Sequence, residues 1–195
     1  MESTLSIVLG IGLSAACGFR IFVPFLIAGI ASMLGYLPLA EGFEWIGTPS
    51  AVVLFGSATL LEVAAYYVPW IDNALDSIAT PASVIAGTIA AASVITDLPP
   101  LLRWTLALIG GGGVAGAVQG ATAMLRMGST LVTGGMGNAL VATGEWIAAV
   151  VTSLLAILLP LAGLVLVVVI LIFSWRSRLS HRERREKSVN PQSHS

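Results

Sequence analysis

Long apolar stretches separated by short polar breaks fill this chain. From its start, residues 4–34 are apolar almost throughout, followed by a polar loop at 35–50 that carries Glu41, Glu44 and Trp45. Further apolar stretches are expected at 51–68, 81–95, 101–125 and 146–173. Their length and period suit helices rather than strands. The fold class predicted is all-α, a polytopic transmembrane helix bundle of about five spans. Pro69 ends the second segment, and residues 70–78 are predicted to form a short interfacial helix with Asp72 and Asp76 on its wet face. Pro81 suits the first turn of the third segment. The stretch 127–138, dense in glycine (Gly128, Gly134, Gly135, Gly137), is expected to be a loop.

The first segment is too long to cross in one straight piece. As one helix it would measure about 45 Å, against a hydrocarbon core of about 30 Å. Gly18 and Pro24 mark where it breaks. Arg20 lies between them, and a lone charge at that depth costs about 2.5–3.5 kcal/mol on insertion scales. Glu62, in the second segment, falls at a similar depth. Two opposite charges on neighbouring segments are expected to pair. The pair admits two readings, a lock between helices or a site for a substrate charge or a coupling proton.

Other polar residues are weighed against this pair. Glu145 adjoins the predicted start of the fifth segment. It is read either as an interfacial carboxylate favoured by the helix dipole, or as lining a cavity with Asn138. Gln119 is read as interhelical glue or as facing a pore. Gly112, Gly116 and Gly120 form a small-residue face that lets helices approach closely. Gly10, Ser14 and Gly18 repeat that spacing in the first segment. Together with Gly47-Thr48-Pro49 and Gly137-Asn138-Ala139, this suggests an internal repeat. On a five-span count the two copies would be inverted.

Composition agrees with a membrane reading. Hydrophobic residues make up 56% of the 195 and charged residues only 10%, against about 25% charged in a typical soluble domain. Six of the nine Lys and Arg residues follow Phe173. That basic tail, residues 176–195, is read as disordered and cytoplasmic. Counting back then places the N-terminus outside a plasma (inner) membrane, with the Glu41/Glu44 loop and the Asp97 turn inside. Arg126, at the outer end of the fourth segment, does not help the charge rule. All five tryptophans fall near expected span ends. Expected partners are the bilayer, anionic lipid against the tail, and further copies of the chain in a homo-oligomer; nucleic acid is not expected.

The chemistry expected is limited. Both histidines, His181 and His194, lie in the tail, and Cys17 is the single cysteine. The spans therefore offer no His/Cys metal set, no Ser-His-Asp set and no phosphate loop. No cofactor, metal, catalytic residue or enzymatic activity is expected. A small transporter or channel with a polar site at Arg20 is the leading reading, an anionic or zwitterionic substrate fitting best. A non-transporting scaffold, in which the charges only lock helices, is the alternative.

One resemblance follows from these residues. Gly12-Leu13-Ser14-Ala15-Ala16-Cys17-Gly18-Phe19-Arg20 with its proline-containing continuation resembles the opening of a bacterial membrane family, domain of unknown function 4126. Glu62 before Pro69, the glycine-rich fourth segment, and Asn138 with Glu145 are similar to that family's later landmarks. Where the family often has a second acidic residue after the glutamate, this chain has Trp146. The resemblance implies a fold and leaves the activity open.

Overall fold

The computed structural model describes residues 2–65, 69–134, 136–159, 168, 169 and 172, with the side chains of residue 2 and of 69–77 left aside. All regular structure among them is helical. The helices are α1 (Glu2–Phe19), α2 (Phe22–Met33), α3 (Pro49–Ala65), α4 (Pro69–Val94), α5 (Pro100–Thr133) and α6 (Asn138–Leu158). A 3₁₀ turn at Glu44–Gly47 precedes α3, and α5 widens into a π turn at Ala107–Gly112.

The first apolar segment breaks at Arg20 and Ile21 and folds back on itself. A straight continuation would carry Met33 about 39 Å from Ile7. Instead, the end of α2 lies against the 3₁₀ turn, where a Cβ on Gly29 would be 2.7 Å from the Ile46 carbonyl oxygen. The adjoining loop is tied to the far end of the bundle. Ala40 N–H donates to Ser93 O at 2.7 Å, and Phe43 packs with Ile7 around Ala91, Ala92 and Ile95. The start of α1, the end of α2, the 35–48 loop and the 95–99 turn therefore share one end. The end of α3, the start of α4 and the turn between α5 and α6 belong to the other. The sequence count placed the Glu41 loop and Asp97 turn together, as found. It placed the N-terminus opposite them because it treated the first segment as one crossing.

The break has a local cause. Pro24 stands third in α2, where a backbone N–H would have no helical partner, so proline costs little there. Gly18 answers to packing: a Cβ on it would lie 2.6 Å from the Ala115 oxygen and from Val118 Cβ. α1 and α5 thus touch backbone to backbone.

Both small-residue stripes converge on α4. Gly10 sits against Ala91, Ser14 Oγ donates to Gly87 O at 2.6 Å, and Gly112 and Gly116 face Thr88 and Val84. Gly120 has nothing within 4 Å of its would-be Cβ and takes no part. α1 and α5 each run antiparallel to α4, hence parallel to one another. Four chain reversals separate them rather than three. The inversion expected from a three-reversal count is replaced by a parallel arrangement.

Three element boundaries differ from expectation. α4 runs unbroken through Pro81, so the residues read as a separate interfacial helix form its first turns. Internal proline is tolerated where neighbouring helices shelter the freed carbonyl. α5 continues to Thr133 and closes on Gly134 at φ +64°, a left-handed cap that glycine adopts without strain. α6 begins at Asn138, so the glycine-rich loop shrinks to a tight turn. Trp146 consequently lies inside α6 and not at a span end. Trp70, Asp72 and Asp76 fall among the side chains left aside, Pro160 and the basic tail outside the described residues.

The outer surface is apolar. Val53, Leu54, Leu60, Leu61, Leu108, Ile109 and Leu125 are exposed large hydrophobics. The interior carries polar groups: Ser14, Arg20, Gln119, Thr122, Arg126, Glu145 and Thr152 are buried.

Candidate functional site: a buried Arg–Glu–Arg cluster at the helix break

The break leaves the first N–H groups of α2 without helical partners. Glu62, from α3, supplies acceptors for two of them. Ile21 N–H donates to its Oε1 at 2.8 Å and Phe22 N–H to its Oε2 at 3.1 Å. A carboxylate on a helix N-terminus also meets the positive end of the dipole. α3 reaches this point because it runs antiparallel to α2, with Phe25 and Phe55 stacked at 5.3 Å one register further on.

Arg20 therefore does not form the ion pair with Glu62 that depth-matching suggested. The N–H donors exposed by the break hold that carboxylate, and it keeps only electrostatic contact with Arg20. The Arg20 guanidinium turns to α6. Its Nη2 lies 3.1 Å from Glu145 Oε2 and donates to Ala142 O at 3.0 Å. Arg126, from α5, joins the same carboxylate: its Nε donates to Glu145 Oε1 at 2.9 Å and its Nη2 pairs with Oε2. Arg20, Arg126 and Glu145 are 2%, 3% and 4% exposed. Two guanidiniums share one glutamate inside the bundle.

Glu145 is thus neither interfacial nor at a helix start. It stands two turns into α6, on a buried face with Ala142, Ala149, Thr152 and Ala156. Asn138 does not line the cluster with it; its Nδ2 donates to Thr130 Oγ at 3.1 Å and ties α6 back to α5. Gln119 is buried on the face of α5 that carries Arg126, two turns (about 10.5 Å) away. Gly18 and Pro24 flank the break, while Gly112 and Gly116 hold α5 on α4.

Arg126 was the residue that sequence reasoning passed over. A signal was present: Arg126 and Glu145 are equidistant in sequence from the centre of the 134–137 turn. In a tight helical hairpin such residues lie at one depth. The long loop inferred from glycine content concealed that symmetry.

Among the described residues no group of three or more His, Cys, Asp or Glu side chains could hold a metal ion. What the cluster can do is present planar, multiply donating cations to a carboxylate-like group.

The fold and site define an all-helical bundle with an apolar exterior and a buried ionic cluster at a folded-back helix pair. No curated protein and no solved structure matches the chain. The family model for "Domain of unknown function (DUF4126)" matches residues 7–179, and the chain belongs to that family.

Proposed function

We propose that this protein is a small multi-pass membrane transporter or channel whose polar site is the tip of the α1–α2 hairpin. One observation carries the reading: three mutually engaged charges, Arg20, Arg126 and Glu145, are buried at a helix break inside a bundle with an apolar exterior. Two helices, α5 and α6, are long and apolar enough to cross a bilayer. The twelve residues of α2 put the tip about 18 Å from the loop end, within a hydrocarbon core of about 30 Å. Broken helices at such depth are tolerated where protein or a polar cavity satisfies the freed backbone, and they serve as substrate sites in many transporters. The membrane is the bacterial plasma membrane, with the basic tail cytoplasmic against anionic lipid. An anionic or zwitterionic solute suits two arginines sharing one glutamate.

A second reading has its own support. The cluster is closed upon itself, as expected of a lock in a non-transporting subunit. Flux into proteoliposomes separates the two. A panel of small anions, zwitterions and cations is offered to wild type, Arg20→Gln and the exposed control Asp97→Asn. Transport predicts solute flux in wild type and control and its loss in Arg20→Gln at equal incorporation. A wild type inert to the whole panel, with Arg20→Gln merely less stable, establishes the lock.

A further inference from the structure

The transport reading leaves Glu62 without a role beyond capping, and the inference here rests on that reading. Three observations set Glu62 apart from Glu145. First, Glu145 is held by two arginines, whereas Glu62 is held by two backbone N–H groups and has no ion pair within 4 Å among the described residues. Second, Glu145 is fully buried and Glu62 is partly exposed. Third, Thr59 lies one turn earlier on the same side of α3. It is more than nine-tenths buried, and its hydroxyl has no hydrogen-bond partner among the described residues. The register fixed by Phe55 on Phe25 and Glu62 on Ile21 and Phe22 sets Thr59 opposite the first turn of α2. Two backbone N–H groups hold the carboxylate there, one unengaged hydroxyl stands a turn away on α3, and Arg20 contributes its field. A buried donor without an acceptor is costly, and an incoming acceptor would relieve it.

Charge counting gives the consequence. Ionised, Arg20, Arg126, Glu145 and Glu62 sum to zero. A monovalent anion entering alone would leave one uncompensated negative charge inside the bundle, which is strongly unfavourable. Protonating one carboxylate restores neutrality. Glu145 is retained by both guanidiniums, so Glu62 is the one released. Among the described residues, the charged or titratable groups facing Glu62 are Arg20 and Cys17 from α1 and Glu145 from α6. α2 carries none, and Glu44 of the 3₁₀ turn is engaged by Gly42 N–H.

We infer that the solute is a monovalent anion of carboxylate size that replaces the Glu62 carboxylate on Ile21 N–H and Phe22 N–H and also accepts from the Thr59 hydroxyl, with Glu62 taking up one proton from water as it leaves. Anion and proton thus enter the site together, one to one, and its net charge does not change.

The test uses reconstituted full-length protein with formate, nitrate or chloride as the offered anion and a pH-sensitive dye inside the vesicles. In wild type an inward anion gradient carries protons inward, one per anion, and flux is faster at lower pH. In Glu62→Gln proton movement is lost and the remaining anion flux loses its pH dependence. A measurement on wild type alone guards against a variant that misfolds. Calorimetric titration of the detergent-solubilised protein with formate, repeated in buffers of different ionisation enthalpy, reads protons taken up per anion bound; the expected value is one. The inference is overturned by anion flux or binding without proton uptake, by Glu62→Gln vesicles that still acidify, or by a site that carries cations only. Those results leave the transport reading standing. A wild type that moves none of the solute panel removes both.

Discussion

Exchanging Glu145 for glutamine is the sharpest perturbation of the cluster. It preserves shape and one acceptor oxygen while removing the charge that two buried guanidiniums share. The Arg20–Glu145 contact at 3.1 Å alone corresponds to roughly 5 kcal/mol of Coulomb energy at an effective dielectric near 20. Desolvation of the ions offsets most of that in the intact protein. In the variant the desolvation cost remains and the attraction does not. Glu145→Gln is therefore expected to destabilise by about 3–5 kcal/mol, the range for breaking a buried pair. Glu62→Gln, which keeps an acceptor for the α2 N–H groups, is expected to cost about 1 kcal/mol. The assay is reversible unfolding in mixed detergent micelles, followed by tryptophan fluorescence. A double-mutant cycle with Arg20→Met makes the comparison direct. Coupling between Arg20 and Glu145 should exceed about 2 kcal/mol, and coupling between Arg20 and Glu62 should stay below about 1 kcal/mol. Equal couplings, or a Glu145→Gln protein within about 1 kcal/mol of wild type, would refute the assignment of Arg20 to α6.

Two further predictions test the framework. Gly18→Ala forces a methyl group onto the α5 backbone and should destabilise by about 1–3 kcal/mol, whereas Gly120→Ala enters open space within a helix and should be neutral or stabilising by up to about 1 kcal/mol; thermal melts of the two side by side decide it. Cysteines introduced at Thr4, Glu41 and Asp97 should label from one face of sealed vesicles with an impermeant maleimide, and one at Met136 from the other, with buried Cys17 silent throughout. Labelling of Thr4→Cys opposite Glu41→Cys would mean that the first segment crosses the bilayer.

The linear pattern of side chains determined the helical class and the position of the first break. Long apolar runs without alternation suit helices, and an arginine between a glycine and a proline marks where the first one breaks. Composition likewise fixed that Arg20, Glu62 and Glu145 needed explaining, because charge is scarce in such a chain. Which of them meet was beyond it. Depth along a segment was estimated on the assumption that residues 4–34 cross once; the fold-back voids that assumption. Glycine content at 127–138 likewise concealed a tight hairpin, and with it the shared depth of Arg126 and Glu145. Backbone donors were invisible too: the N–H groups of Ile21 and Phe22 become available only because α2 begins there, and they hold Glu62 where a sequence reading expects an ion pair. Residue types decided that charges would be buried together; the reversal at Arg20 and the antiparallel packing of α3 and α6 against the hairpin decided which charge meets which.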